Sequence, residues 1–356
     1  MNIGLIGLPN SGKTTVFNAL AKSQARVSSY AQSDSEPNRA VLDVVDDRVK
    51  ALCDMYRPRK TTYAAIELID FAGLTQGAAR QELFSSAAMA LIKNMDAIAL
   101  VVRNFENDLS EPPTPLQDIE KLEAELLISD LIIAESRLER VEKDCRRGKK
   151  AHLLEAEKRL LHRLIDHLNN NQPIRLLKLD AESEKMIRGF QFLTQKPAMV
   201  IVNSDENNFA KHSRQLEAVH QHYRVVEFAG KFEMELSQLE DQEEIALFMA
   251  DIGIKESARD RLCKAAYELL GYISFFTVGA DEVRAWSIKQ GESAQAAAAK
   301  IHTDLARGFI RAECFTFNDL IAHGSEKQLG AKGLLRLEGK NYIVQDGNVL
   351  NIRFNI

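Results

Sequence analysis

The sequence predicts an α/β protein in three parts: a mainly parallel sheet flanked by helices, an antiparallel helical hairpin inserted into it, and a C-terminal α+β module of β-grasp type. Three observations carry this expectation. Six short apolar runs recur with helical patterns between most of them, a leucine-rich heptad pattern interrupts the alternation in mid-chain, and beyond Tyr272 the pattern changes to short strands around a helix. The expected boundaries are 1–115 and 191–271 for the two parts of the sheet domain, 116–190 for the hairpin and 272–356 for the last module.

The first apolar run, Asn2–Leu8, leads into Gly7-Leu8-Pro9-Asn10-Ser11-Gly12-Lys13-Thr14 and then a helical stretch, Thr15–Ala21. This is the phosphate-loop pattern G-x-x-x-x-G-K-[ST] in its strand–loop–helix setting. Its glycines let the backbone wrap a polyphosphate with the N–H groups turned inward, and the helix N-terminus adds positive potential. Pro9, Asn10, Ser11, Gly12, Lys13, Thr14 and Thr15 are therefore the expected cradle for a nucleoside triphosphate. Lys13 is placed to reach the β- and γ-phosphates, and the Thr14 hydroxyl to take a position on Mg²⁺.

The remaining sheet runs are Ala40–Val45, Ala64–Ile69, Ala97–Val102, Ala198–Val202 and Arg224–Phe228. The run at Ala64–Ile69 ends in Asp70-Phe71-Ala72-Gly73, a D-x-x-G element. Asp70, at a strand end, can hold Mg²⁺ through water, and the Gly73 N–H can sense the γ-phosphate. Leu74 follows, where Ras-like enzymes place a water-orienting glutamine, so hydrolysis must position its water by another route.

After Phe105 the alternation stops at Glu111-Pro112-Pro113-Thr114-Pro115, and a long charged helix is predicted. Leu127, Leu131, Ala134, Leu138 and Val141 form a heptad seam, answered by Leu154, Leu161, Leu164 and Leu168 on a second helix. The turn between them carries Arg146, Arg147, Lys149 and Lys150, the best candidate RNA contacts, although a solvated charged turn is the commoner meaning of such a run. Ala246–Leu270 reads as helical and Gly271 closes it. The C-terminal pattern predicts strands over Ile273–Thr277, Val283–Ile288, Tyr342–Val344 and Val349–Phe354, with a helix over Ala294–Gly308.

Composition narrows the class. The net charge of −5 argues against coating nucleic acid with the whole surface, and no DNA partner is expected. No stretch approaches the ~20 apolar residues of a membrane span, so no membrane association is expected. The phosphate loop lies inside the region a signal peptide would occupy. Cys53, Cys145, Cys263 and Cys314 show no metal-ligand spacing and read as reduced thiols of a cytoplasmic protein.

Several strings resemble the YchF or Obg-like ATPase family of translation-factor-related P-loop proteins. Asp70-Phe71-Ala72-Gly73-Leu74 is similar to its DIAGL, and Val102-Arg103-Asn104-Phe105-Glu106-Asn107-Asp108 to its VVRCFEND. Ile301-His302-Thr303-Asp304 with Gly308-Phe309-Ile310-Arg311-Ala312 matches its KIHTDxxxGFIRA, and Val283-Arg284-Ala285-Trp286 resembles its EVRAWT. His302 and Arg311, in a signature helix, are expected to pack the domain rather than to catalyse. The resemblance covers essentially the whole chain. It implies a P-loop NTPase domain, the inserted hairpin, a TGS-type β-grasp domain, association with ribosomes, and hydrolysis of ATP, often in preference to GTP.

Base recognition bears on that preference. GTPases read guanine with N-K-x-D, whereas Asn203-Ser204-Asp205-Glu206 puts Glu206 at the aspartate position, like the family's N-x-x-E. A register slipped by one, with Asp205 reading guanine, stays open. Ala229-Gly230-Lys231 lies where GTPases carry a base-contacting loop. The first switch departs from the family: Asp34 aligns with the threonine that closes over Mg²⁺, leaving Ser33 or Ser35 to substitute as ligand, and the second switch is shortened to Gly77-Ala78-Ala79-Arg80-Gln81-Glu82-Leu83. These departures mark a diverged paralogue. Asn10 carries two readings: recruitment of K⁺ beside the phosphates, or a side-chain bond that stabilises the loop. The leading expectation is a Mg²⁺-dependent ATPase, or GTPase, that couples nucleotide state to a ribosome or other RNA–protein particle. A non-hydrolysing nucleotide-dependent scaffold is the alternative, and a metabolic kinase a weaker third.

Overall fold

The computed structural model describes residues 1–22, 26–27, 37–71, 86–106, 112–146, 151–209, 214–236, 238–239, 241–251, 253–254 and 256–355. The chain divides into two compact units, Met1–Val41 with Glu67–Arg261, and Leu42–Ile66 with Leu262–Ile356. Leu42–Ile66, which the sequence pattern groups with the nucleotide domain, thus packs within the second unit.

In chain order come β1 (Asn2–Gly7), α1 (Lys13–Lys22), β2 (Arg26–Val27) and β3 (Asn38–Val44); α2 (Asp47–Tyr56) and β4 (Lys60–Thr62) belong to the second unit. β5 (Ala64–Asp70), α3 (Ser86–Ile92), β6 (Ala97–Asn104), β7 (Ala198–Ser204) and β8 (Arg224–Ala229) complete the first sheet and its near helix. The strand order is β2-β3-β5-β1-β6-β7-β8. β1 runs parallel to β5 and β6, and β6, β7 and β8 run parallel in turn, while β2 pairs antiparallel with β3. All seven residues of β7 are buried, as expected of a strand covered on both faces. Each of the six predicted apolar runs overlaps one of these strands.

The hairpin is α4 (Pro115–Arg146) and α5 (Ala151–Asn169). Leu127, Ala134 and Val141 meet Leu160, Leu161, Leu164 and Leu168 in one core, with Leu131, Leu138 and Leu154 partly buried against it. The root of α4 joins the sheet core instead: Ile119, Leu122 and Leu126 pack with Leu100, Val102, Val200 and Val202. Buried Asp130 fastens the middle of α4. Its carboxylate accepts from the amides of Leu193 (2.8 Å) and Thr194 (2.7 Å) and from the Thr194 hydroxyl (2.7 Å). Beyond α5 follow α6 (Ala181–Ile187), α7 (Arg214–His222), α8 (Gly230–Leu236), α9 (Gln242–Asp251) and α10 (Ala258–Leu270). The single helix expected over Ala246–Leu270 is therefore two, separated around Gly253, whose φ of 77° breaks the helical backbone.

In the second unit β9 (Tyr272–Thr277), β10 (Glu282–Lys289), β11 (Phe309–Thr316), β12 (Arg336–Glu338) and β13 (Asn348–Phe354) form, with β4, a sheet of order β12-β11-β13-β9-β10-β4. β9 and β10 are an antiparallel hairpin and β13 returns parallel to β9, a β-grasp arrangement. α11 (Ala294–Ile301) covers one face through Ala294 and Ala297 against Phe275, Ile288, Cys314 and Leu350. Val49 and Leu52 of α2 cover the other, against Phe276, Val283 and Phe315. The helix expected over Ala294–Gly308 breaks at His302, which is extended (φ −164°) and whose Nδ1 accepts from the Asp304 amide, starting α12 (Thr303–Arg307). Arg311 lies on β11, not on a helix, and it and His302 are exposed, so neither packs the domain. Tyr342–Val344 makes one isolated bridge, Ser293 with Ile343, rather than a strand. α13 (Phe317–His323) and α14 (Glu326–Ala331) add Leu320 and Leu329 to the core around Phe276.

Candidate functional site: the phosphate loop and its supports

The phosphate loop leaves β1 at Gly7 and reverses through two left-handed residues, Asn10 (φ 64°) and Gly12 (φ 78°). Asparagine tolerates that backbone better than most side chains, and at position 12 only glycine fits for a second reason. A Cβ on Gly12 would lie 2.1 Å from the Asn203 amide nitrogen, and one on Gly230 2.3 Å from its amide oxygen. Asn203, at the end of β7 and 3% exposed, is thus wedged between two glycines, and its Nδ2 donates to the Ser11 carbonyl at 3.1 Å. The structure brings together Ser11, Gly12, Asn203 and Gly230, with Ala229 buried beside them at the end of β8. Asn203 braces the loop from beneath.

Lys13 and Asp70 form a buried ion pair, their residues 8% and 0% exposed. The pairing follows from the sheet: Asp70 ends β5 opposite Leu5 of β1, the strand that delivers the loop. Thr14, Pro9 and Asn10 are exposed, and Thr15 is half-buried. The Ser11 hydroxyl is buried with no hydrogen-bond partner among the described residues. The donor set fits Mg²⁺, which takes one or two carboxylates, hydroxyl oxygens and substrate phosphates rather than an all-protein cage. Among the described residues no group of three or more His, Cys, Asp or Glu side chains forms such a cage. Ser35 and Gly73 lie outside the described residues, as do Ser33, Asp34, Leu74 and the turn Arg147–Lys150.

The loop after β7 carries both Asp205 and Glu206. Both Asp205 oxygens are engaged locally: Oδ1 accepts from the Asn208 amide (2.8 Å), and Oδ2 from the Glu106 amide and the Asn208 side chain (both 3.3 Å). This is an Asx-type turn that leaves Asp205 fixing backbone. Glu206 is exposed. Behind the loop Asn104 donates to Ser204 (2.9 Å), whose hydroxyl donates to Glu227 (3.0 Å). A second support joins Glu233 and Arg261, at 2.6 Å. Burial lifts the Glu233 carboxyl above its ordinary range, opposed by the Arg261 guanidinium and the amides of Ala258 and Ala229. Asn104 and Ser204 lie within strings noted in the sequence but have no role assigned there, and Glu227, Glu233 and Arg261 belong to no motif, because all these contacts join residues distant in the chain. Elsewhere, at the root of the hairpin, a cavity of about 590 Å³ holds the Glu123–Arg175 ion pair beside Tyr223.

A parallel sheet whose first strand feeds a glycine-bearing phosphate loop, with the loop lysine paired to an aspartate at the end of the adjacent strand, defines a P-loop NTPase. A family model described as "50S ribosome-binding GTPase" matches residues 2–136, and a model of the YchF GTPase C-terminal domain, described as "Protein of unknown function (DUF933)", matches residues 272–355. The chain is 36% identical to the ribosome-binding ATPase YchF of Bacillus subtilis (strain 168), covering 100% of each, and 39% identical to that of Haemophilus ducreyi, covering 99% of each. The solved structure of the Schizosaccharomyces pombe YchF GTPase superposes with a TM-score of 0.88 at 28% identity, over 99% of this chain and 97% of that one. The chain belongs to the YchF family.

Proposed function

We propose that this NTPase hydrolyses ATP with Mg²⁺ in the cytoplasm and couples its nucleotide state to contact with the ribosome. The names of the bacterial relatives, ribosome-binding ATPases aligned along their whole length, support the substrate and the partner. The observation that carries the base preference is Asp205: its carboxylate is occupied by Asn208 and Glu106 amides, and Glu206 takes the position from which an aspartate would read guanine. The protein residues in the chemistry are few. Gly12 and its neighbours present backbone N–H groups to the phosphates, and Lys13 exchanges the Asp70 carboxylate for a phosphate oxygen. Thr14 and Asp70 would hold Mg²⁺, which when bound neutralises charge on the β- and γ-phosphates. Competition of ATP and GTP against one labelled probe tests the preference. A site built to bond the guanine edge discriminates by orders of magnitude, so a preference for GTP of about a hundredfold would overturn it.

A further inference from the structure

Glu233 and Arg261 form a buried support whose contacts converge on the loop after β7 and on the junction of β8 with α8. Arg261 Nη2 donates to Glu233 Oε1 (2.6 Å) and to the Glu227 carbonyl (3.0 Å), two residues before Ala229. Its guanidinium lies 5.9 Å from the centre of the Phe209 ring, on the loop after β7. Phe209 in turn packs on a small core of Ala229, Phe232 and Ile254. Glu233 Oε2 accepts from the Ala258 amide at the start of α10 (2.8 Å), and the Ala229 amide also supports its charged form. One guanidinium therefore holds the end of β8 by a carbonyl and the loop after β7 by a ring face, while one carboxylate fixes the guanidinium and the start of α10. A charge-assisted, planar, fork-like contact of this kind sets position as well as energy. Among the described residues neither side chain bonds the phosphate loop, which is braced separately by Asn203 through the Ser11 carbonyl.

We propose that Arg261, locked by Glu233, is a positioning residue for nucleoside recognition: it sets the Asp205–Phe209 loop against the end of β8, where the base sits, and acts on the base more than on the phosphates. This rests on the reading that the base sits against that loop and strand end.

The test compares ATP with inorganic triphosphate, which shares the phosphate cradle but has no base, both titrated calorimetrically with Mg²⁺ into the full chain. Arg261→Gln, by releasing the loop that flanks the base, should weaken ATP by about tenfold, while inorganic triphosphate changes by less than about twofold. Arg261→Lys, which keeps the charge but not the fork, should fall between. Phe209→Leu, a milder change that loosens the same loop, should weaken ATP by about threefold and inorganic triphosphate by less, and decides the matter if Arg261→Gln fails to fold. Equal loss of both ligands in a folded variant, or no loss of either, overturns the proposal. Lys13→Ala separates the underlying reading: it should weaken both ligands, and if it weakens neither, the phosphate-site assignment itself fails.

Discussion

Asn203 shows what a single side chain does at the bottom of a nucleotide site. Its position at a strand end, in the place of a base-reading asparagine, is legible in the sequence, but its work as a wedge between Gly12 and Gly230 is not, because the bond to Ser11 spans 192 residues of chain. Lys13 and Asp70 are legible for the opposite reason: each belongs to a short local motif whose chemistry demands the residue type. Lys13 is nearly buried and its partner fully so, which makes the next expectation sharp. Lys13→Ala should weaken ATP by about 2–4 kcal/mol, the scale of a desolvated charge-assisted contact. It should also lower the thermal midpoint of the nucleotide-free protein, since Asp70 would be left buried without its cation. Titration with labelled ATP and a melting curve check the two halves; unchanged affinity removes Lys13 from the site.

Elements were read from sequence where a period ran long enough. The hairpin seam is legible in steps of three and four, and the structure gathers those same leucines, buried or partly buried, into one core. β11 was missed although Ala312 and Cys314 are buried and Arg311 and Glu313 are not. Its period-two signal is short and begins directly where the expected helix ends, with no turn residues beyond Gly308 to mark a strand. Asp130 could not be placed either, because a charged residue on a long helix normally faces water. Its three donors make a prediction about the hairpin as an element. Asp130→Ala strands two amides and a hydroxyl in the interior, and should cost about 3–5 kcal/mol of stability. Burial lifts the Asp130 carboxyl above its ordinary value of 3.8, against the pull of the Thr194 and Leu193 bonds. The folded chain then keeps the proton over a range in which the unfolded chain has released it. The stability linked to this group is full below pH 3.8 and is lost as pH rises through the folded value. Denaturant titrations of wild type and Asp130→Asn across that range should show the difference between them shrinking in the variant's favour as pH rises.

At the scale of the whole molecule, local pattern gives out, because which sheet a strand joins is decided by distant residues. Ala40–Val45 and Ala64–Ile69 look alike as buried runs, yet the chain between them, α2 and β4, packs with the C-terminal module. Val49 and Leu52 are fully buried against Phe276, Val283 and Phe315. A chain ending at Gly271 should therefore expose both, each worth about 1.5–3 kcal/mol of burial, and aggregate where the full chain remains soluble. Recovery of a monodisperse, nucleotide-binding fragment by size-exclusion chromatography would contradict this.

Turnover is the property that belongs to the entire protein, and it should be slow. Leu74 offers no hydrogen bond to an attacking water, and a positive charge supplied from outside is worth about 10³–10⁵ in rate in related phosphoryl transfers. Asn10 is the candidate recruiter of such a charge as K⁺. It is exposed on the phosphate loop. Its left-handed backbone (φ 64°) makes alanine a poor probe, since strain would mix with the loss of the amide. Asn10→Gly removes the side chain and keeps the conformation. ATP hydrolysis by the full chain should rise when K⁺ replaces Na⁺, and that rise should vanish in Asn10→Gly while ATP affinity stays within about twofold, because an exposed side chain contributes little to a cradle built from backbone N–H groups. Potassium stimulation surviving in Asn10→Gly, or fast hydrolysis in Na⁺ that collapses in Leu74→Ala, would show that the water is positioned and the charge neutralised by groups other than these.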